Sequence, residues 1–105
     1  MPYTRAFREF VEERLSAAKM IRSRPMFGGV GIYADDLMFA IIDDDRLFFK
    51  VDDTNRQDYL DRGMAPWEVA GTYYEVPCEL LDDAEELSVW VDKAMKVAES
   101  KKKKR

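Results

Sequence analysis

Between Val30 and Val51 the chain repeats a strand-sized apolar segment, and aspartates separate each segment from the next. Val30 and Ile32 alternate with Gly31 and Tyr33, and Asp35-Asp36 follows; Leu37 to Ile42 is uninterrupted apolar sequence, and Asp43-Asp44-Asp45 follows that. Leu47, Phe49 and Val51 then alternate with Arg46, Phe48 and Lys50. Period-two alternation bounded by aspartates is the pattern of strands joined by tight turns, and turns that short force consecutive strands to run antiparallel. The segments are therefore expected to form a meander. Leu37 to Ile42 has no polar face, so it belongs in the middle, covered at least in part on both sides.

The flanking sequence changes period. Thr4 is placed to cap a helix over about residues 5 to 20, in which Phe7, Phe10, Val11, Leu15 and Ala18 form one apolar face. Arg14 falls on that face, so its stem must snorkel or the helix must be partly open there. Pro25 disfavours helical geometry at Arg24 and closes the segment. Beyond the meander, Asp52-Asp53-Thr54 offers N-caps and Gly63 a C-terminal stop for a short helix with Tyr59 and Leu60 facing inward. Trp67 and Val69 around Glu68, the Ala70-Gly71 turn and Thr72 to Val76 read as a second hairpin, ended by Pro77. A last helix carries Leu80, Leu81, Ala84, Leu87, Val91, Ala94, Met95 and Ala98 at helical spacing, with Asp82 and Glu85 as a capping box that starts or restarts it. The order α-β-β-β-α-β-β-α predicts an α+β domain with helices packed on an antiparallel sheet over residues 1–100, followed by a basic disordered tail at 101–105.

Composition narrows the chemistry. There is no histidine and a single cysteine, which removes the commonest general base, the commonest metal ligand and any disulfide within the chain. Cys78 therefore reads as structural or incidental. The 17 basic residues against 21 acidic ones give a net charge of −4, but the charges are segregated. Basic residues dominate residues 1–24 and the terminal KKKKR, and acidic ones the stretch between them. The aspartate clusters fall at turns and helix starts, where carboxylates serve the backbone, so they argue neither for a cation site nor for a hydrolase carboxylate pair. Gly28-Gly29-Val30-Gly31 leads into a strand rather than a helix, which fits a bulge or close packing of the first helix better than a phosphate cradle. Phe48, Tyr73 and Tyr74 beside Arg46 and Lys50 raise base stacking as a possibility, opposed by the surrounding negative charge. No apolar run reaches the length of a signal-peptide core or a membrane span, so the expected location is the cytoplasm.

Met26-Phe27-Gly28-Gly29-Val30-Gly31-Ile32-Tyr33, Met38-Phe39-Ala40, Arg46-Leu47-Phe48-Phe49-Lys50-Val51-Asp52 and Tyr73-Tyr74-Glu75-Val76-Pro77 resemble, in the same order, the N-terminal domain of the TfoX/Sxy competence-regulator family. The resemblance covers roughly residues 5 to 98. It implies a bacterial α+β domain from regulators of natural competence genes, here as a stand-alone copy without the family's C-terminal helical domain. The Ala70-Gly71 turn is shorter than is usual in the family, and Asp36 replaces a common glycine. The resemblance supplies no catalytic residue.

The expectation is therefore a noncatalytic regulatory or adaptor module, not an enzyme, with no metal or cofactor. It would act in transcriptional control through contacts with a protein partner, a homodimer being one form of such contact. The alternative is a nucleic-acid-binding accessory protein using Arg5, Arg8, Lys19, Arg22 and Arg24 together with Lys101, Lys102, Lys103, Lys104 and Arg105. On a helical wheel Arg5, Arg8, Lys19 and Arg22 fall within about 100°, with Glu12 among them.

Overall fold

The computed structural model describes residues 3–103. Helix α1 (Arg5–Ala18) leads into four consecutive strands, β1 (Arg22–Met26), β2 (Gly29–Ala34), β3 (Leu37–Asp43) and β4 (Arg46–Lys50). Helix α2 (Arg56–Leu60), strand β5 (Tyr73–Glu75), a short 3-10 helix (Cys78–Asp82) and helix α3 (Ala84–Lys103) complete the chain. The sheet is antiparallel and its spatial order, β1-β2-β3-β4-β5, is the order of the sequence. The α+β class and the meander are as the sequence predicts.

The hairpins are built on two-residue turns. Phe27-Gly28, Asp35-Asp36 and Asp44-Asp45 all have φ between 51° and 79°. Positive φ at both central residues defines the type I′ turn, whose twist matches that of the paired strands. Aspartate tolerates this conformation and glycine adopts it freely, whereas phenylalanine does so rarely.

Helices cover one face of the sheet. Val11 and Leu15 of α1, Tyr59 of α2, and Leu87, Trp90, Val91, Ala94 and Met95 of α3 pack on Val30, Ile32, Phe39, Ile42, Phe49 and Tyr74. Thr4 caps α1 by accepting a hydrogen bond from the Phe7 amide at 3.2 Å. Arg14 lies against this core as a snorkelling residue. Its guanidinium sits 4.7 Å over the Phe10 ring, donates to the Leu81 carbonyl at 3.2 Å and lies 3.5 Å from Asp82.

Five local features differ from the sequence reading. Strand β1 adds to the meander; its Arg-Ser-Arg-Pro sequence lacks apolar alternation, and Pro25 is tolerated because β1 is a sheet edge. The second hairpin is reduced to a bridge between Pro66 and Tyr74, flanked by the Trp67 amide donating to the Tyr73 carbonyl at 2.7 Å and the Glu75 amide to Ala65 at 3.1 Å. Leu60 is 47% exposed, since in a helix of one and a half turns only Tyr59 reaches the core. The last helix restarts one residue later than expected: Asp83 is its cap, accepting from the Glu86 amide at 3.1 Å, and no capping box closes, because the Asp83 amide donates to the Leu80 carbonyl at 3.0 Å and the Glu86 carboxylate pairs with Arg62. Helix α3 then continues to Lys103, into the stretch read as a disordered tail, because lysine is a good helix former and its charge suits a helix C-terminus. Lys104 and Arg105 lie outside the described residues.

Tyr59 is 1% exposed, packs edge-on against Trp90 at 4.5 Å between centroids, and its hydroxyl has no hydrogen-bond partner among the described residues. An unpaired buried hydroxyl is a cost without a return. Tyr59→Phe is expected to raise stability by about 0.5–1 kcal/mol, read as a higher denaturation midpoint; a lower midpoint would mean that the hydroxyl has a partner after all.

Candidate functional site

The sheet face turned away from the helices is incompletely covered. Met26 on β1, Met38 and Ile41 on β3, Phe48 on β4 and Tyr73 on β5 point to this side, and the segment 67–70 folds across part of it. Trp67 anchors that segment. Its indole N–H donates to Asp43 at 3.0 Å, and its ring lies 5.6 Å from Phe48 and 6.1 Å from Tyr73. Arg46 holds the same segment from the outside with a forked contact to Glu68 at 3.0 and 3.2 Å. Burial works against the Asp43 carboxylate, the Trp67 hydrogen bond and nearby Arg46 favour it, and the carboxyl lies below its ordinary range.

Between this segment and the β1–β2 turn an apolar groove of about 330 Å³ remains open, lined by Met26, Phe27, Met38, Ile41, Trp67 and Val69. Two of its lips are exposed apolar side chains: Phe27 is 98% and Val69 73% exposed. Gly31 lies beneath two of the lining methionines. A Cβ there would lie 2.7 Å from the Met26 sulfur and 2.9 Å from that of Met38. Gly29 has a different role, since its Cβ would strike the Ile42 carbonyl on β3. The glycine run thus serves the turn, strand pairing and the groove rather than packing of the first helix; the irregularity in the β2–β3 pairing falls later, opposite Ile32 and Tyr33, where β3 carries the extra residue Phe39.

The basic residues singled out from the sequence are divided by the fold. Arg8 bonds Glu12 at 3.0 Å and Ser23 at 2.9 Å, on the helix side of β1. Lys19 approaches Asp35 at 3.8 Å, and Arg22 pairs with Asp36 at 2.8 Å. Arg5 and Arg24 are exposed and form no ion pair with another described residue; Arg24 is two residues from Met26 on β1 and so stands with it on the open face. Lys101 and Lys102 are exposed near the end of α3, and Lys103 ends that helix. The aromatic residues weighed as a base-stacking set cannot serve as one: Phe48, Tyr73 and Tyr74 are all buried, with Tyr74 on the helix side. What the sequence reading missed is Phe27. Its signal was a phenylalanine before glycine in a two-residue hairpin turn, where asparagine or aspartate is usual.

Burial pushes the Tyr73 phenol up to about 12, with Tyr33 adding to the effect, and burial raises Tyr59 further, with Asp58 adding. In the unfolded chain both titrate near 10. Below that pH both states keep the proton; from about 10 to 12 the unfolded state releases it first, so folding stability falls as pH rises through this window. Tyr73→Phe is expected to flatten the decline in a series of denaturation midpoints; an unchanged slope would contradict the assignment.

An antiparallel meander with helices on one face and an aromatic, methionine-lined groove on the other defines a small α+β domain with an open sheet face. The chain belongs to the TfoX N-terminal domain family, whose model matches residues 13–98. At the level of the family this is a competence-related regulatory or adaptor domain. A comparison with curated proteins finds no match. Among the described residues no helix is long and apolar enough to cross a membrane.

Proposed function

We propose that this chain is a noncatalytic regulatory or adaptor module that works in the cytoplasm, in transcriptional control of the competence type, by binding protein through the open face of its sheet. The observation that carries this reading is the exposed Phe27 beside an apolar groove. Exposed apolar surface of this kind, rimmed by polar residues, is characteristic of interaction sites. Aromatic side chains are also the usual anchors of such contacts. The nucleic-acid alternative has less support, because Arg8, Lys19 and Arg22 are each held by a carboxylate and the sheet aromatics are buried.

The test is affinity purification from the native cell with the wild-type chain and a Phe27→Asn variant as parallel baits. Proteins retained by the wild type and lost by the variant are the expected result. Identical sets, or no retained protein, would sink the reading.

A further inference from the structure

We infer that Lys50 is a site of acyl modification, its side-chain amine taking the acyl group of a small acyl phosphate while Lys101 draws the phosphate end towards it. Lys50 closes β4 on the open face, two residues beyond Phe48 and opposite Tyr73 of β5. Among the described lysine side chains only Lys19 and Lys50 are half-buried, and the others are exposed. Lys19 has Asp35 at 3.8 Å, whereas Lys50 forms no ion pair with another described residue.

What holds Lys50 is neutral. Its ammonium donates to the Tyr73 hydroxyl at 3.3 Å and lies 5.0 Å from the centre of the same ring, so the nitrogen has a fixed position without a compensating negative charge. The acidic groups of the neighbouring segments are engaged elsewhere: Asp52 accepts from Thr54, Asp53 pairs with Arg56, and Glu68 and Glu75 pair with Arg46. The charge that does reach Lys50 is positive. Lys101, exposed in the last turn of α3 and without an ion pair to another described residue, is close enough to repel the Lys50 ammonium.

A lysine becomes a nucleophile when it is taken out of water or set beside another cation, because both disfavour the charged form and free the nitrogen lone pair. Both act on Lys50: burial first and Lys101 second bring its amine below the ordinary lysine range. The same two cations select the acyl donor, since an anionic phosphate is attracted to charges that lack carboxylate partners and a neutral ester is not. In the reaction the Nζ lone pair forms a bond to the acyl carbon, the bond from that carbon to the phosphate oxygen breaks, and phosphate leaves with the electron pair. The proton displaced from nitrogen ends on the phosphate. The product amide is neutral, so the open face loses one positive charge whatever binds there.

The folded chain is treated with acetyl phosphate, and peptide mass spectrometry follows each lysine over time. Lys50 is expected to gain acetyl about 3- to 10-fold faster than exposed Lys96 and than Lys93, which has Asp58 at 2.8 Å. Lys101→Gln, at an exposed position that the fold does not need, is expected to slow Lys50 about 3-fold or more and to leave Lys93 unchanged. With p-nitrophenyl acetate, a neutral donor, the same variant is expected to have a smaller effect on Lys50. A Lys50 no faster than Lys93 and Lys96 overturns the inference, and so does a preference for Lys50 that survives in denaturing urea, because the fold is then not its cause. An unchanged rate in Lys101→Gln, or an equal loss with both donors, overturns the part given to Lys101.

Discussion

Replacing Gly29 with alanine is expected to destabilise the domain by about 3 kcal/mol or more, which for a chain of this size lowers the thermal midpoint by about 12–24 °C. The new methyl group would meet the Ile42 carbonyl oxygen, with the Ile42 carbonyl carbon at 3.5 Å and the Asp43 Cα at 3.7 Å behind it. All of these are backbone atoms of β3, so nothing can rotate aside, and relief requires β2 to separate from β3 at the start of their pairing. Gly31→Ala is the control. Its methyl group meets the ends of two flexible methionine side chains, and methionine adapts readily, so the expected cost is below about 1 kcal/mol. Thermal unfolding of both variants decides the matter; equal midpoints would show that the β2–β3 approach is not what Gly29 protects.

Phe49→Ala is expected to cost about 3–5 kcal/mol, the range for deleting a buried aromatic from a core that cannot collapse around the gap. Phe49 is fully buried, packs 5.8 Å from Phe39, and stands on β4 opposite Ala40 on one side and Tyr74 on the other. Because both neighbouring strands frame it, the surrounding backbone has little freedom to move in. Chemical denaturation measures the loss. A midpoint shift equivalent to less than about 1 kcal/mol would mean that α3 can settle into the vacated volume.

Much of this architecture was legible in the sequence because its causes are local. The aspartate turns declare themselves, since few residues accept left-handed backbone, and the Leu47-Phe49-Val51 alternation by itself assigns each side chain to a sheet face. Arg14 was legible as an anomaly, and its contacts with Phe10, Leu81 and Asp82 resolve it. Strand β1 was not legible, because an edge strand exposed along most of its length needs no apolar alternation; its pairing is set by the turn and by β2. The groove was illegible for another reason. It is assembled from the β1–β2 turn, the middle of β3 and the irregular segment around Trp67, which meet only in the folded sheet. Phe27 was visible as part of a motif, but its exposure depends on a backbone angle that no periodicity encodes.

The identity of spatial and sequential strand order has a kinetic consequence. Each of β2 to β4 pairs with the strand made just before it, so these sheet contacts close over short loops and the chain has a low contact order there. On a ribosome, where domains form from the N-terminal side, the hairpins are free to zip in turn as they emerge. Helix α3, which covers the largest share of the helix-side core, is synthesised after every strand of the sheet. The nascent sheet therefore exposes Phe39, Phe49 and their neighbours until the final turns of α3 have left the exit tunnel, and that interval, rather than the finished fold, is when this protein is most in need of a chaperone.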